Sequence, residues 1–367
     1  MKAIRKILFA VKNPDSRRQK AIDKAIGIAA SLSASLELFH AISTPVFLDL
    51  QPLKREAIEL RQRWLDAHVA RANTRGVRVS CNVSWDYPPH EAIVRRATRT
   101  GADLIIAECH EGSRLKPWLM HLTDWELLRT SSVPVLLLRN TKPYQRPVVL
   151  AAVDPGHMHA KPAALDDAIV ALGKHVAGEL RGSMHVMHAN YPAVFGLSLG
   201  DPSIDAMSLA VAYEQQKVKD SADFKAFGEK AGIPRTRRHL VSGDPVYGIP
   251  KAARDLRAQV VVMGAVSRSG LKRVFVGNTA ERVLNALPCD VLVVKPPRFK
   301  ARVSSYLPTA RQTALPTSSA TNSAPRLSMA TPTGRPQASP FSLTNPVSTS
   351  IGIPAGLPCA NGTNTTL

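Results

Sequence analysis

Cysteine is scarce in this chain. Its four cysteines (Cys81, Cys109, Cys289 and Cys359) are scattered through 367 residues, and none belongs to a Cys-x-x-Cys pair. That spacing excludes a disulfide framework and an ordinary zinc site, and it points to the reducing cytoplasm. Aromatic residues are few, 5% of the chain. No apolar run approaches the roughly 20 residues that a membrane-crossing helix needs, so insertion into a membrane is not expected. The apolar run near the N-terminus, Ile7 to Val11, is short and bounded by Lys6 and Lys12. It has no small-residue cleavage site after it and reads as a first strand rather than a signal peptide. Nor does the chain contain a Gly-x-Ser-x-Gly elbow, a Gly-x-x-x-x-Gly-Lys-Ser/Thr loop or a Ser-His-Asp order, so hydrolase and P-loop chemistry lack support.

Acidic residues are outnumbered, 28 against 48 Lys and Arg, for a net charge of +20. Polynucleotide or an anionic membrane surface is one partner class for such a charge. The basic residues, however, are spread along expected helices, as with Arg61, Arg63, Arg71, Arg75, Arg95, Arg96 and Arg99, without interleaved aromatics. They read as solvated faces, and nucleic acid stays an open partner that no motif supports.

What the chain does contain is a repeat. Ile7-Leu8-Phe9-Ala10-Val11-Lys12 corresponds to Val149-Leu150-Ala151-Ala152-Val153-Asp154, and Leu36–Ala41 to Met184–Ala189. Ala102–Ile106 corresponds to Ala258–Val262, and Val133–Arg139 to Cys289–Lys295. Units this long are duplicated domains rather than solenoid repeats. Their near-continuous apolar strands, alternating with helices, predict parallel sheets covered on both faces, hence two tandem doubly wound α/β domains. The expected boundaries are 1–142 and 146–298, with the linker near Asn140 to Arg146. Residues 301–367 contain no Asp, Glu or Lys and are rich in Ser, Thr, Pro and Ala. A segment of that composition buries too little apolar surface to offset its ordering entropy, so 299–367 is expected to be a disordered low-complexity tail. The tail is either native or the product of a reading-frame change.

The stretch Val260–Lys295 is the most suggestive part. An apolar strand, Val260 to Met263, ends at Gly264; a basic loop follows, and Gly277-Asn278-Thr279 opens a helix. A helix N-terminus behind a small-residue loop suits a phosphate, because free N–H groups and the helix dipole both favour negative charge. The same residues also have an ordinary structural reading. Asn278 is a good N-cap, and Glu281 three residues later completes a capping-box pattern that satisfies the helix without a ligand.

The two-copy layout, together with the closing Gly277-Asn278-Thr279-Ala280-Glu281-Arg282-Val283-Leu284 and Cys289–Lys295 segments, resembles tandem members of the universal stress protein family. The segment Thr123–Arg129 in the first copy is also similar to that tandem type. The resemblance spans roughly residues 1–298. It implies two five-stranded parallel sheets arranged as an intramolecular pseudo-dimer, a cytoplasmic location and a non-enzymatic role in surviving stress, including DNA-damaging agents. A homodimer is a further partner to consider.

Nucleotide-binding members of the family carry Gly-x-x-Gly, nine residues, then Gly-Ser/Thr, with an Asp after the first strand. Here the second copy has Gly264-Ala265-Val266-Ser267, nine residues, Gly277-Asn278, and Asp154 after its first strand. Spacing is kept while Ser267 and Asn278 depart. The resemblance therefore implies an adenine nucleotide such as ATP, or another anionic ligand, at Asp154, Gly264, Ser267, Arg268, Gly277, Asn278 and Thr279. No metal and no catalytic residue is expected, and a slow ATPase is the weakest alternative. A nucleotide-independent module binding a protein, a nucleic acid or a lipid precursor is the other reading. In the first copy Glu108, Glu111, His121 and Lys12 replace Gly264, Ser267, Gly277 and Asp154, and Asp124 enters the first helical turn. That pattern predicts repulsion of phosphate and a lost site.

Further candidates read as structural. Glu108-Cys109-His110-Glu111 is a polar strand exit, since adjacent residues seldom converge on one ion. His185 and His188, three apart on a strand, face opposite ways. Asp244 before Pro245 is an expected N-cap, with Trp85–Pro89 as its counterpart.

Overall fold

The computed structural model describes residues 3–12, 20–42, 51–73, 76–109, 122–156, 164–191, 206–264 and 278–296, with Phe299 and Val303. The expected tail, 299–367, lies outside them apart from those last two residues.

The first copy runs β1 (Lys6–Ala10), α1 (Lys20–Ser31), β2 (Ser35–Ile42), α2 (Gln51–Asn73), β3 (Val79–Trp85), α3 (Pro89–Thr100), β4 (Leu104–Glu108), α4 (Leu122–Thr130) and β5 (Val135–Leu138). The second runs β6 (Val148–Ala152), α5 (Ala164–Glu179), β7 (Ser183–Asn190), α6 (Ala206–Lys230), β8 (Arg238–Ser242), α7 (Pro245–Asp255), β9 (Val260–Gly264), α8 (Asn278–Ala286) and β10 (Asp290–Val294). Apolar residues fill both faces of the inner strands, as in Leu8 and Phe9 or Val261 and Val262, because helices cover the sheet on both sides. Helices α1, α2, α5 and α6 bury Ile26, Leu65, Ile169 and Phe224 on one face; α3, α4, α7 and α8 bury Val94, Leu127, Ile249 and Val283 on the other.

Local signals explain the helix ends. Asp244 caps α7 by accepting from the Val246 N–H at 2.8 Å, with Pro245 at the first helical position, as the sequence predicts. Its counterpart differs. Pro88 occupies the cap of α3 without a side-chain bond, and Asp86 instead accepts from Arg95 Nη2 at 2.7 Å. Gly101 ends α3 in the left-handed region (φ 66°), its N–H returning to the carbonyls of Ala97 and Thr98.

Each copy forms the expected five-stranded parallel sheet, and the two join edge to edge. The single sheet has the order β3-β2-β1-β4-β5-β10-β9-β6-β7-β8, antiparallel only at β5–β10. There Leu136 faces Leu292, while Leu137 faces Val291 and Val135 faces Val293. Leu136 and Leu292 are equivalent positions of the repeat, so the copies meet about a pseudo-twofold axis, the self-complementary geometry of an isologous dimer. The two copies lie within one compact unit, Met1–Pro308.

A buried polar cluster fastens the same seam. Lys24 of α1 pairs with Asp290 of β10, and both are almost wholly buried. Asp290 Oδ1 accepts from the N–H groups of Arg139 (2.7 Å) and Asn140 (3.2 Å), and Oδ2 accepts from Tyr144 Oη (2.5 Å). The Lys24 ammonium also donates to the Asn140 carbonyl at 3.0 Å and lies 4.2 Å from the Tyr144 ring centre. Burial, and then the Asp290 charge, push the Tyr144 phenol well above its ordinary pKa, so it stays a donor.

Candidate functional site

In a doubly wound sheet, ligands bind beyond the carboxyl ends of the strands where the strand order reverses. That point lies between β1 and β4 in the first copy and between β6 and β9 in the second. Each has a helix, α4 or α8, starting beside it.

In the second copy Ala151 pairs with Val262, so Asp154 and Gly264 leave the sheet at the same edge. The Asp154 N–H donates to Asp166 Oδ1 at 3.2 Å, holding the turn after β6 against α5. The Asp154 carboxylate is mostly buried. Its Oδ1 is 3.9 Å from His188 Nδ1, and its Oδ2 has no hydrogen-bond partner among the described residues. His188 Nδ1 is 3.1 Å from the Val153 carbonyl, which can only accept, so Nδ1 carries the proton. The imidazole therefore braces the strand end. An unpaired buried carboxylate oxygen costs on the order of 1–3 kcal/mol, which makes Asp154 Oδ2 an acceptor in want of a donor.

Gly264 has a packing reason of its own. A Cβ there would meet Leu165 Cδ2 at 2.7 Å and Ile169 Cδ1 at 3.3 Å, so any larger residue would require the Leu165 side chain of α5 to shift. Asn278 is the first residue of α8, and Thr279 is exposed in the first turn. Ser267, Arg268 and Gly277 lie outside the described residues. Glu281, the expected partner of Asn278 in a capping box, instead accepts at Oε1 from Arg129 Nη2 of α4 at 2.9 Å, a second tie across the seam.

The first copy departs from the sequence expectation. Asp124 in the first turn of α4 is 1% exposed, and its Oδ1 accepts from Lys12 Nζ at 2.6 Å. Lys12 neutralises Asp124, so this carboxylate adds no unbalanced charge to the edge. Lys12 and Asp124 replace Asp154 and Ala280 of the second copy together, as a pair. Glu108 lies partly buried at the end of β4, while Glu111 and His121 are outside the described residues. Beside the ion pair opens a cavity of about 240 Å³, walled by Phe39, Ile93, Ala107 and Leu127. Nothing in the sequence alone announced it. It exists partly because Ala41 and Ala107 leave room that larger residues would fill.

The remaining candidates are structural. Burial, followed by the nearby Asp124 charge, raises the Cys109 thiol, leaving it protonated. His188 packs against Phe224, whereas His185 stacks on His239 with ring nitrogens 2.9 Å apart. Among the described residues no group of three or more His, Cys, Asp or Glu is placed to hold a metal ion, and no helix is long and apolar enough to cross a membrane.

The family model for the universal stress protein family matches residues 3–139 and again 146–295. Universal stress protein E of Escherichia coli K12 is 28% identical over 305 residues, covering 81% of this chain and 96% of its own. The universal stress protein E homolog of Haemophilus influenzae is 24% identical over 307 residues, covering 79% and 97%. Among solved structures, a functionally unknown protein of Pseudomonas aeruginosa PAO1 superposes with a TM-score of 0.63 at 29% identity, covering 80% of this chain and 93% of its own. A universal stress protein of Archaeoglobus fulgidus shares the fold, with a TM-score of 0.56 at 18% identity, covering 78% and 98%.

Proposed function

The chain belongs to the universal stress protein family, and on that premise we propose that it is a cytoplasmic, non-enzymatic stress-response protein whose second copy holds an adenine nucleotide or a related anionic ligand. In this reading it supports survival under stress such as DNA-damaging agents. The observation that carries the ligand assignment is Asp154: a mostly buried carboxylate at the strand-order reversal with Oδ2 unpaired among the described residues. An adenine amino group or a ribose hydroxyl is a donor of the kind that oxygen lacks. Gly264 and Ser267 give loop contacts to phosphate, Arg268 adds charge, and Gly277, Asn278 and Thr279 present the N-terminus of α8. The nucleotide acts as a bound signal rather than a substrate.

Calorimetric titration of the full chain with ATP tests this. Saturable heat that Asp154→Ala removes supports the reading, and absence of heat at millimolar ATP contradicts it.

A further inference from the structure

The two buried lysines of this protein are treated in opposite ways. Lys24 is paired with Asp290 and donates to the Asn140 carbonyl. Lys295, the first residue beyond β10, is only 8% exposed, and its ammonium makes no hydrogen bond or ion pair among the described residues. What it meets is the Phe299 ring, 4.9 Å from the nitrogen. A turn sets that ring in place, the Phe299 N–H donating to the Pro296 carbonyl at 3.1 Å.

The repeat shows why the partner is missing. Lys295 matches Arg139, whose backbone N–H donates to Asp290 Oδ1 at 2.7 Å and whose guanidinium donates to the Leu284 carbonyl. In the first copy Pro134 stands where the second has Asp290, so no carboxylate is returned to Lys295 across the seam. Burial without an anion disfavours the ammonium and lowers its pKa from 10.5 to about 8, with no neighbouring charge adding to the effect. At pH 7.5 roughly a quarter of such a group is free amine, against about one part in a thousand for an exposed lysine. A desolvated lysine of this kind is a nucleophile towards carbonyl carbon.

We propose that Lys295 is an imine-forming site for a small uncharged aldehyde. The amine lone pair adds to the carbonyl carbon. The carbinolamine then loses water, its oxygen leaving with both amine hydrogens, and C=N stands where C=O stood. No oxidant or reductant takes part. The neutral imine removes the buried charge, so the burial that opposes the ammonium favours the adduct, and Phe299 offers an apolar surface to its substituent. An aldehyde bearing a carboxylate or phosphate brings in a charge that finds no partner there. Water reverses the adduct, so its occupancy follows the aldehyde concentration.

The full chain is treated at pH 7.5 with propanal and cyanoborohydride, which reduces each imine to a stable secondary amine. Glyoxylate is the charged comparison. Peptide mass spectrometry follows Lys295 beside Lys230 and Lys251, whose side chains are 76% and 68% exposed. With propanal, Lys295 should be labelled at least tenfold faster than either. In concentrated urea the three rates should converge. With glyoxylate the Lys295-to-Lys230 ratio should fall at least tenfold. Labelling of Lys295 no faster than Lys230, a preference that survives urea, or an equal ratio with glyoxylate would each overturn the proposal.

Discussion

Lys12 stands 2.6 Å from Asp124 in the first copy, and the two matching positions of the second copy hold Asp154 and Ala280. One copy thus closes its strand-order reversal with an internal ion pair. The other carries a carboxylate there with no cation provided by the facing helix position. Two copies of one fold thus differ in electrostatics at the same place, a neutral ion pair in one and a carboxylate in the other.

Asp154→Asn keeps the size of the side chain and removes its charge. ATP affinity is expected to fall about tenfold or more, the factor that about 1.4 kcal/mol represents. The unfolding midpoint should hold or rise, because a buried carboxylate oxygen without a partner is removed. Calorimetry and denaturant titration of the same variant read both quantities.

The seam cluster predicts a large stability effect far from either site. Lys24→Met leaves Asp290 buried without its cation, a change that typically costs about 3–5 kcal/mol. Because β5 and β10 make one continuous sheet, urea unfolding should stay a single transition with its midpoint lowered for both copies. Separate transitions for the copies, or an unmoved midpoint, would contradict the role given to this pair.

Lys295 gives a pH dependence with a definite sign. Burial lowers its pKa from 10.5 to about 8, with the Phe299 ring 4.9 Å from the ammonium. Between those two values the unfolded chain holds a proton that the folded chain has released, so this group's contribution to stability increases as pH rises from about 8 to 10.5. Lys295→Met should therefore stabilise the protein at pH 7, by about 3 kcal/mol at most. The advantage should shrink towards zero above pH 10.5. Denaturation of wild type and variant across pH 6–11 measures the difference.

Cys81 should resist alkylation although it is only half-buried. Burial, then the Asp66 hydrogen bond and charge, push its thiol up to about 12, leaving roughly one thiolate in ten thousand at pH 8. Asp66→Asn, which removes the charge 3.1 Å from the sulfur, should speed iodoacetamide labelling of the Cys81 peptide several-fold by mass spectrometry.

The fold was readable from the sequence because strand burial here is two-sided. Runs such as Val260-Val261-Val262 have no polar alternation, and such runs alternating with helices leave parallel α/β as the consistent solution. The cap at Asp244 was readable for a local reason, a side-chain oxygen two residues before the N–H that it accepts. The seam was not readable. Val135–Leu138 and Val291–Val294 look like any inner strands, and nothing in them says that they pair antiparallel with each other. Lys24 lies in an amphipathic helix where a lysine ordinarily reaches solvent, and only the arrival of Asp290 across the seam keeps it inside. At the candidate sites, the motif spacing placed Asp154 and Gly264 at one edge but mistook Asp124 for an unbalanced charge. Its partner lies 112 residues earlier in the chain. The packing of Leu165 against Gly264 was equally invisible, since a glycine at a strand end reads the same whether a phosphate or a helix demands it.

The most direct test of the central claim is to identify what the second copy carries. The purified full chain, and its Asp154→Ala variant, would be denatured and the released small molecules identified by mass spectrometry, alongside ATP titrations of the stripped proteins. The account predicts an adenine nucleotide released from the wild type in near-stoichiometric amount, little from the variant, and saturable rebinding of ATP by the wild type alone. No released nucleotide together with no heat at millimolar ATP would contradict it. So would nucleotide retained equally by the variant, or tight DNA binding that collapses with added salt in place of ATP binding.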